Sequence, residues 1–129
     1  MHRWPVRVYY EDTDLAGIVY YANYLKYIER ARTEWIRALG VDQARLKAEQ
    51  GLVFAVRRVE ADYLSPAVFD DALSVTTEAV RITPARIELA QTVLRGDHVL
   101  FAARVVLACL GADMRPRRLP GDLAHIMGS

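Results

Sequence analysis

The sequence predicts an α+β domain in which one antiparallel sheet wraps around one long helix. A helical apolar pattern covers residues 21–39, and strand-like segments fill most of the chain after residue 51. Helices set apart from a run of strands are typical of the α+β class. The chain has 129 residues, of which 53% are hydrophobic, and this suffices for one core without disulfides. We therefore expect a single domain over residues 1–129.

The first two elements are a strand and the long helix. Residues 6–10 are rich in β-branched and aromatic side chains, which favour a strand. From residue 21 onward, large apolar residues recur at intervals of three and four, which places them on one helical face. They are Tyr21, Tyr24, Ile28, Ala31, Trp35 and Leu39. Gly40 is a natural stop, and a shorter helix is expected over residues 42–49.

Four strands are expected in the second half of the chain, over residues 52–64, 73–82, 87–94 and 99–110. We expect an antiparallel meander, with the last and most apolar strand at the centre of the sheet. Residues 121–127 are compatible with a short final helix. A small sheet leaves edge strands that need cover, so pairing with a second copy of the chain is expected.

Composition excludes several classes of function. The formal net charge of +1 creates no general attraction to nucleic acid or to an anionic membrane. The longest apolar stretch, residues 99–112, is interrupted by Arg104 and is too short to insert into a bilayer. Cys109 is the only cysteine, which is consistent with a reducing compartment. The first residues lead into a strand-like run without the apolar core of a signal peptide, so we expect a cytoplasmic protein.

An acidic turn between the first strand and the long helix is the main functional candidate. It contains Asp12, Asp14 and Gly17, and it has three interpretations. A solvated turn is the simplest, because Asp and Gly are common turn residues. A calcium loop is a second, but Asn23 stands where such a loop needs a bidentate glutamate.

The third interpretation of the acidic turn is catalytic. A carboxylate just before a helix faces whatever binds at the helix N-terminus, where unpaired N–H groups and the helix dipole favour negative charge. A thioester carbonyl placed there would be stabilised as it becomes an oxyanion. The carboxylate would attack the carbonyl carbon or activate water.

The residues of this turn also resemble a known family. Residues 8–25 read VYYEDTDLAGIVYYANYL, and this stretch is similar to the motif of the 4-hydroxybenzoyl-CoA thioesterase superfamily. It is closest to the Tol-Pal-associated acyl-CoA thioesterase branch. The likeness continues through ERARTEW at residues 29–35 and, more loosely, RPRRLP at residues 115–120. It therefore spans nearly the whole chain.

The resemblance implies a hot-dog fold and a homodimer with active sites at the subunit interface, often paired again into a homotetramer. It implies that Asp14 is the catalytic aspartate and that the backbone N–H at Tyr21 is the oxyanion donor. One departure is Tyr21 itself, because the Tol-Pal-associated branch commonly has His there, whereas 4-hydroxybenzoyl-CoA enzymes can have Tyr. The acyl group stays open for this reason.

Further residues are assigned to substrate binding. Tyr9 either lines the pocket or belongs to the core, and Gly17 shapes the turn beside Asp14. Asn23 is expected to hold the turn by hydrogen bonds to the backbone. Three arginines after the last strand are candidates for the phosphates of coenzyme A, because the guanidinium fork suits phosphate; the alternative is a solvated basic tail. They are Arg115, Arg117 and Arg118.

Other side chains that could be catalytic are weaker candidates than Asp14. Glu29 and Glu34 each have an arginine at helical spacing, so we expect surface ion pairs, Glu29–Arg32 and Arg30–Glu34. Cys109 lies in the most apolar strand and is expected to be a buried, inert thiol. The three histidines show no metal-ligand spacing, and no Gly-x-Ser-x-Gly motif is present.

The sequence thus predicts hydrolysis of acyl-CoA thioesters with a short or medium aliphatic, or an aromatic, acyl group. No metal and no cofactor are expected beyond the coenzyme A of the substrate. The alternative is a non-catalytic hot-dog module that binds acyl-CoA or a partner protein. A hot-dog dehydratase ranks lower, because it needs a His/acid pair and no histidine lies in the turn.

Overall fold

The computed structural model describes residues 1–128, which form one five-stranded antiparallel sheet and three α-helices. The strands are β1 (His2–Arg7), β2 (Val53–Tyr63), β3 (Ala72–Ile82), β4 (Arg86–Arg95) and β5 (His98–Leu110). The helices are α1 (Asn23–Ala38), α2 (Gln43–Gln50) and α3 (Gly121–Gly128). The order of strands in the sheet is β1-β3-β4-β5-β2. This arrangement confirms the predicted α+β class.

Helix α1 lies on one face of the sheet, where it contacts β1, β3 and β4. Its buried side chains follow the predicted spacing and are Tyr24, Tyr27, Ile28, Ala31, Trp35 and Ile36. The helix begins at Asn23, two residues later than predicted, so Tyr21 precedes it with an exposed side chain. At the other end Gly40 has φ +85°, a conformation that ends the helix and that glycine adopts without strain.

A buried polar contact fixes α1 to the sheet. The amide of Gln91, which is fully buried, donates to the carbonyl of Ile28 and to the hydroxyl of Thr77, both at 2.9 Å. Arg32 donates to the other side of the same amide at 3.0 Å. Burial lowers the pKa of the Arg32 guanidinium. Because buried amide groups are costly unless paired, this network sets the position of α1 along β4.

Two strand predictions need correction. The first strand ends at Arg7 rather than at residue 10, because the carboxylate of Asp12 accepts the N–H of Tyr9 at 2.8 Å and turns the chain away. Pro5 is tolerated in β1 because β1 is an edge strand.

The predicted four-strand meander is also wrong, since β2 pairs with β5 instead of β3. The middle of the sheet is β4, and β5 lies between β4 and β2. The apolar β5 is thus covered along both of its edges, which buries it as predicted although it is not the central strand. Strand β2 becomes an edge strand, and its residues from Val56 to Tyr63 are all exposed.

No helix within residues 1–128 is both long enough and apolar enough to cross a membrane.

Candidate active site

The acidic turn folds into a tight hairpin in front of α1. Tyr10–Asp12 form a 3-10 turn, after which Thr13 and Val19 pair as an isolated antiparallel bridge. Asp14 sits at the tip, where its N–H donates to the carbonyl of Ile18 at 2.9 Å and its carbonyl accepts the N–H of Gly17 at 3.0 Å. These two hydrogen bonds hold residues 14–18 in one conformation, which presents the Asp14 side chain at the surface of the molecule.

Gly17 has a backbone role in this hairpin. Its φ is +82°, which a residue with a side chain rarely adopts, although an added Cβ would meet no atom within 4 Å. The requirement is therefore conformational rather than steric. One oxygen of Asp14 accepts the N–H of Ala16 at 2.9 Å, which orients the carboxylate while leaving its other oxygen available.

Asn23 ties the hairpin to the first turn of α1. Its amide donates to the carbonyl of Asp12 at 2.9 Å, and the same carbonyl accepts the N–H of Tyr20 at 2.9 Å. The position is that predicted for a supporting residue.

The hydroxyl of Tyr27 is buried and faces the carboxylate of Asp12 in the same segment. Burial, followed by the nearby Asp12 carboxylate, raises the pKa of Tyr27.

The start of α1 has free N–H groups. Ala22 precedes the helix and offers no capping side chain. Among residues 1–128, no acceptor pairs with the backbone N–H of Tyr21 or of Ala22. The carbonyls around them are engaged, because the Tyr20 carbonyl accepts the N–H of Asn23 at 2.8 Å. Free donors at a helix N-terminus form a site that favours an oxyanion.

Asp14 and Tyr21 line one cleft, with a volume of about 370 Å³. Aromatic and aliphatic side chains form most of its wall. The lining residues are Asp14, Ile18, Val19, Tyr20, Tyr21, Tyr24, Tyr63, Leu64, Ser65 and Pro66. The cleft thus combines one carboxylate with an apolar wall at the N-terminal end of α1.

The base of the cleft is rigid. The ring of Tyr24 stacks on Phe101 with centroids 5.1 Å apart, and its hydroxyl accepts the N–H of Ala67 at 3.0 Å. Tyr63 packs edge-on against both rings. At the rim, Tyr20 and Tyr21 are in contact, and the proximity of Tyr21 followed by that of Asp14 raises the pKa of Tyr20. The Tyr20 phenol therefore stays protonated at neutral pH.

A larger hollow of about 510 Å³ lies where α1 meets α2. Its one carboxylate, Asp42, accepts the N–H of Arg45 at 3.1 Å and caps α2. The Asp42 carboxylate serves as the cap of its helix, whereas the aromatic cleft places its carboxylate beside unpaired N–H groups at the start of α1, so the aromatic cleft is the better candidate site.

The remaining predicted binding residues lie outside the cleft lining. Tyr9 is 61% exposed and belongs to no strand, so its placement in the core is wrong. The three arginines follow β5 at its Leu110 end; they are Arg115, Arg117 and Arg118. The cleft lies at the other end of β5, where the N–H groups of Leu64 and Ser65 pair with the carbonyl of Leu100. Ten residues of extended strand, about 33 Å, separate the two ends. Within one subunit the arginines do not meet Asp14.

The other candidate groups have structural roles. Glu34 pairs with Arg37 rather than with Arg30, and Glu29 accepts the hydroxyl of Thr33 at 2.9 Å, so the two predicted partners were wrong. Cys109 is buried as predicted, and burial raises the pKa of its thiol. The part of the chain that the structure describes contains no group of three His, Cys, Asp or Glu side chains that could hold a metal ion.

Sequence patterns did not indicate that residues 63–66 line the cleft. Tyr63 and Ser65 come from the end of β2 and the segment after it, more than forty residues beyond Tyr21. The tyrosine at the end of a predicted strand was the only available signal, and it did not indicate which element the ring would meet.

The sequence and the fold have known counterparts. Residues 8–126 match the model of the thioesterase-like superfamily. The acyl-CoA thioesterase YbgC of Haemophilus influenzae is 43% identical over 121 residues, which cover 93% of this chain and 89% of that protein. The 1,4-dihydroxy-2-naphthoyl-CoA hydrolase of Thermosynechococcus vestitus is 33% identical over 97 residues, covering 74% of this chain and 66% of that protein.

A solved structure agrees with these sequence matches. The probable thioesterase from Bartonella henselae superposes with a TM-score of 0.88 at 38% identity, covering 92% of this chain and 98% of that one. The chain belongs to the thioesterase-like superfamily. The predicted family, hot-dog fold and enzyme class, a thioester hydrolase, are confirmed, and the similarity to YbgC proteins agrees with the predicted branch.

Proposed function

We propose that this protein hydrolyses acyl-CoA thioesters at the aromatic cleft, with Asp14 as the acting carboxylate. The observation that carries the proposal is the joint placement of Asp14 and Tyr21 in one apolar cleft, with the Tyr21 N–H unpaired among the described residues. The Haemophilus relative, which is named an acyl-CoA thioesterase, supports the coenzyme A part of the substrate.

The chemistry follows from these two groups. The thioester carbonyl accepts the Tyr21 N–H, so that negative charge developing on its oxygen is stabilised by the helix N-terminus. Asp14 either attacks the carbonyl carbon or removes a proton from the water that does. The C–S bond then breaks, coenzyme A leaves as a thiol, and water supplies the second oxygen of the acid. No cofactor enters this scheme.

The acyl group would lie against the rings of Tyr24 and Tyr63. An open, largely apolar cleft fits a short or medium aliphatic chain or a single aromatic ring. The two named relatives act on acyl-CoA and on 1,4-dihydroxy-2-naphthoyl-CoA, respectively, so both kinds of acyl group belong in the first assay. A cytoplasmic location is part of the proposal on the ground of the single cysteine.

A homodimer would bring the arginines to the cleft. Strand β2 has one free edge, and its register with β5 places Val53 beside Leu110 and Tyr63 beside Phe101. If two copies pair antiparallel through β2, the two-fold axis sets the Val53 end of each subunit beside the Tyr63 end of its partner. The partner's arginine tail then approaches this subunit's cleft, where coenzyme A phosphates would lie. Such dimers can pair again into a tetramer.

The test of the function is Asp14→Asn. Asn retains an oxygen for the Ala16 N–H, so the hairpin should fold, but it neither attacks nor accepts a proton. We expect turnover of a panel of aliphatic and 4-hydroxybenzoyl thioesters to fall about 10²–10⁴-fold, measured as release of free coenzyme A. The matched control, Asp97→Asn in the exposed β4–β5 turn, should keep wild-type rates.

Folded Asp14→Asn protein with near-wild-type kcat would remove Asp14 from the mechanism. Wild-type protein that binds acyl-CoA without releasing coenzyme A would instead favour the non-catalytic binding module.

A further inference from the structure

Tyr63 makes a contact that the proposed chemistry has not used. It is the last residue of β2, and its hydroxyl donates to the backbone carbonyl of Tyr21 at 2.9 Å, across 42 positions of sequence. Its ring is held edge-on by Tyr24 and by Phe101, with centroids 5.5 and 5.1 Å away. A rigid ring therefore presents one hydroxyl to one carbonyl at the start of α1.

That carbonyl belongs to the residue whose N–H is the proposed oxyanion donor. On one side of Tyr21, the peptide plane that carries this N–H is held through the Tyr20 carbonyl by the N–H of Asn23, at 2.8 Å. On the other side, the next plane is held through the Tyr21 carbonyl by Tyr63. Ala22 provides no capping side chain, so the N–H groups at this end of α1 have no side-chain acceptor from the cap position. The direction of the Tyr21 N–H is thus set from both sides.

We propose that Tyr63 is a positioning residue for thioester hydrolysis, whose hydroxyl fixes the Tyr21 backbone so that its N–H points at the developing oxyanion. The inference rests on the proposed function. Preorganised donors stabilise a transition state without rearranging during the reaction, and a donor that must first be ordered loses part of that effect. Tyr63 itself does not touch the reacting atoms, so its contribution should be smaller than that of the donor.

The Tyr63 hydroxyl is suited to this role over the working pH range. Burial raises its pKa, and the neighbouring Tyr21 and Tyr24 raise it further. It therefore remains a protonated donor at neutral and mildly alkaline pH.

The experiment is Tyr63→Phe, which removes the hydroxyl and leaves the ring in place. We expect kcat to fall about three- to tenfold, the range for loss of one hydrogen bond, while KM stays within a factor of two. The affinity for a thioether analogue of the substrate, which has no carbonyl to polarise, should be unchanged. Titration with the same analogue measures the number of folded binding sites. Tyr10→Phe, which removes an exposed phenol outside the cleft, should keep wild-type kcat.

The outcomes separate this inference from the function itself. A drop in kcat with unchanged KM and unchanged analogue binding supports positioning. A kcat within a factor of two of wild type overturns it, as does a rise in KM alone, which would make Tyr63 a substrate-binding group. If kcat falls only in proportion to the sites lost by analogue titration, the role is structural and the inference fails. Wild-type protein without turnover would refute the proposed function, and the inference with it.

Discussion

The two ends of β5 are built differently. At the Leu100 end, the hairpin, the start of α1 and the end of β2 meet around Asp14, and each is tied to another by a hydrogen bond. At the Leu110 end, the chain after the strand is held mainly by its own backbone, such as the N–H of Arg117 on the carbonyl of Cys109 at 2.9 Å. Residues 112–118 at that end are exposed, while Cys109 and Leu119 on either side of them are buried.

The tail has one internal ion pair. Arg117 lies over Gly111, where an added Cβ would come within 2.8 Å of its guanidinium, and it pairs with Asp113 at 2.8 Å. Arg115 and Arg118 form no ion pair with any residue in 1–128. The Leu100 end is thus organised to hold atoms in place, whereas the Leu110 end presents solvent-exposed positive charge. Mutations should therefore affect kcat at the first end and KM at the second.

The largest effect after loss of Asp14 should come from Asn23→Ala at the Leu100 end. It removes the hydrogen bond that joins α1 to the Asp12 carbonyl, so we expect kcat to fall about tenfold and stability to drop by about 1 kcal/mol. Steady-state kinetics and urea unfolding measure the two. Asn23→Asp should not restore activity, because a carboxylate cannot donate to a carbonyl. Gln50→Ala, at an exposed position of α2, is the neutral control. A kcat equal to wild type would show that the tie is dispensable.

A smaller effect is expected at the Leu110 end from the double substitution Arg115→Ala and Arg118→Ala. If these arginines bind the phosphates of coenzyme A, KM should rise about three- to tenfold with kcat unchanged, and the rise should shrink in high salt. The KM for the matching acyl-pantetheine, which lacks the nucleotide, should not change. An equal rise in KM for both substrates would mean that the tail does not bind the nucleotide of coenzyme A.

In the proposed homodimer, the same variant tests which subunit supplies the arginines. Mixing the arginine variant with Asp14→Asn protein allows subunits to exchange into mixed dimers. If the tail acts across the interface, each mixed dimer contains one site with both a native Asp14 and native arginines. If the tail acts within its own subunit, no site has both. Activity above the average of the two parents supports that geometry, and activity equal to the average places the arginines in the same subunit as Asp14.

The smallest effect concerns pH and the tail's ion pair. The N–H of Arg115, followed by the Arg117 side chain, lowers the pKa of Asp113 below its usual range. The ionised carboxylate therefore stabilises the folded chain above that range, and the contribution is lost as pH falls through the lowered pKa. Asp113→Asn should melt slightly below wild type at neutral pH, and the gap should close on acidification. A gap that persists under acid conditions would assign the effect to packing.

Local sequence patterns were enough to predict the α+β class, the buried face of α1 and the position of Asp14 in a glycine-bearing turn before that helix. These are encoded by residues close together in the chain, through periodicity, turn preference and a family motif. The sequence also predicted a supporting role for Asn23, because a side-chain amide next to a turn commonly hydrogen-bonds to the backbone of that turn.

The contacts between elements that are distant in the chain could not be predicted in the same way. The partner of β2, the contact of Tyr63 with the Tyr21 carbonyl and the separation of the arginines from Asp14 all depend on strand order. Local patterns do not encode that order, because an apolar strand is buried equally well beside several possible neighbours. The choice among them is made by the closure of the whole core around α1.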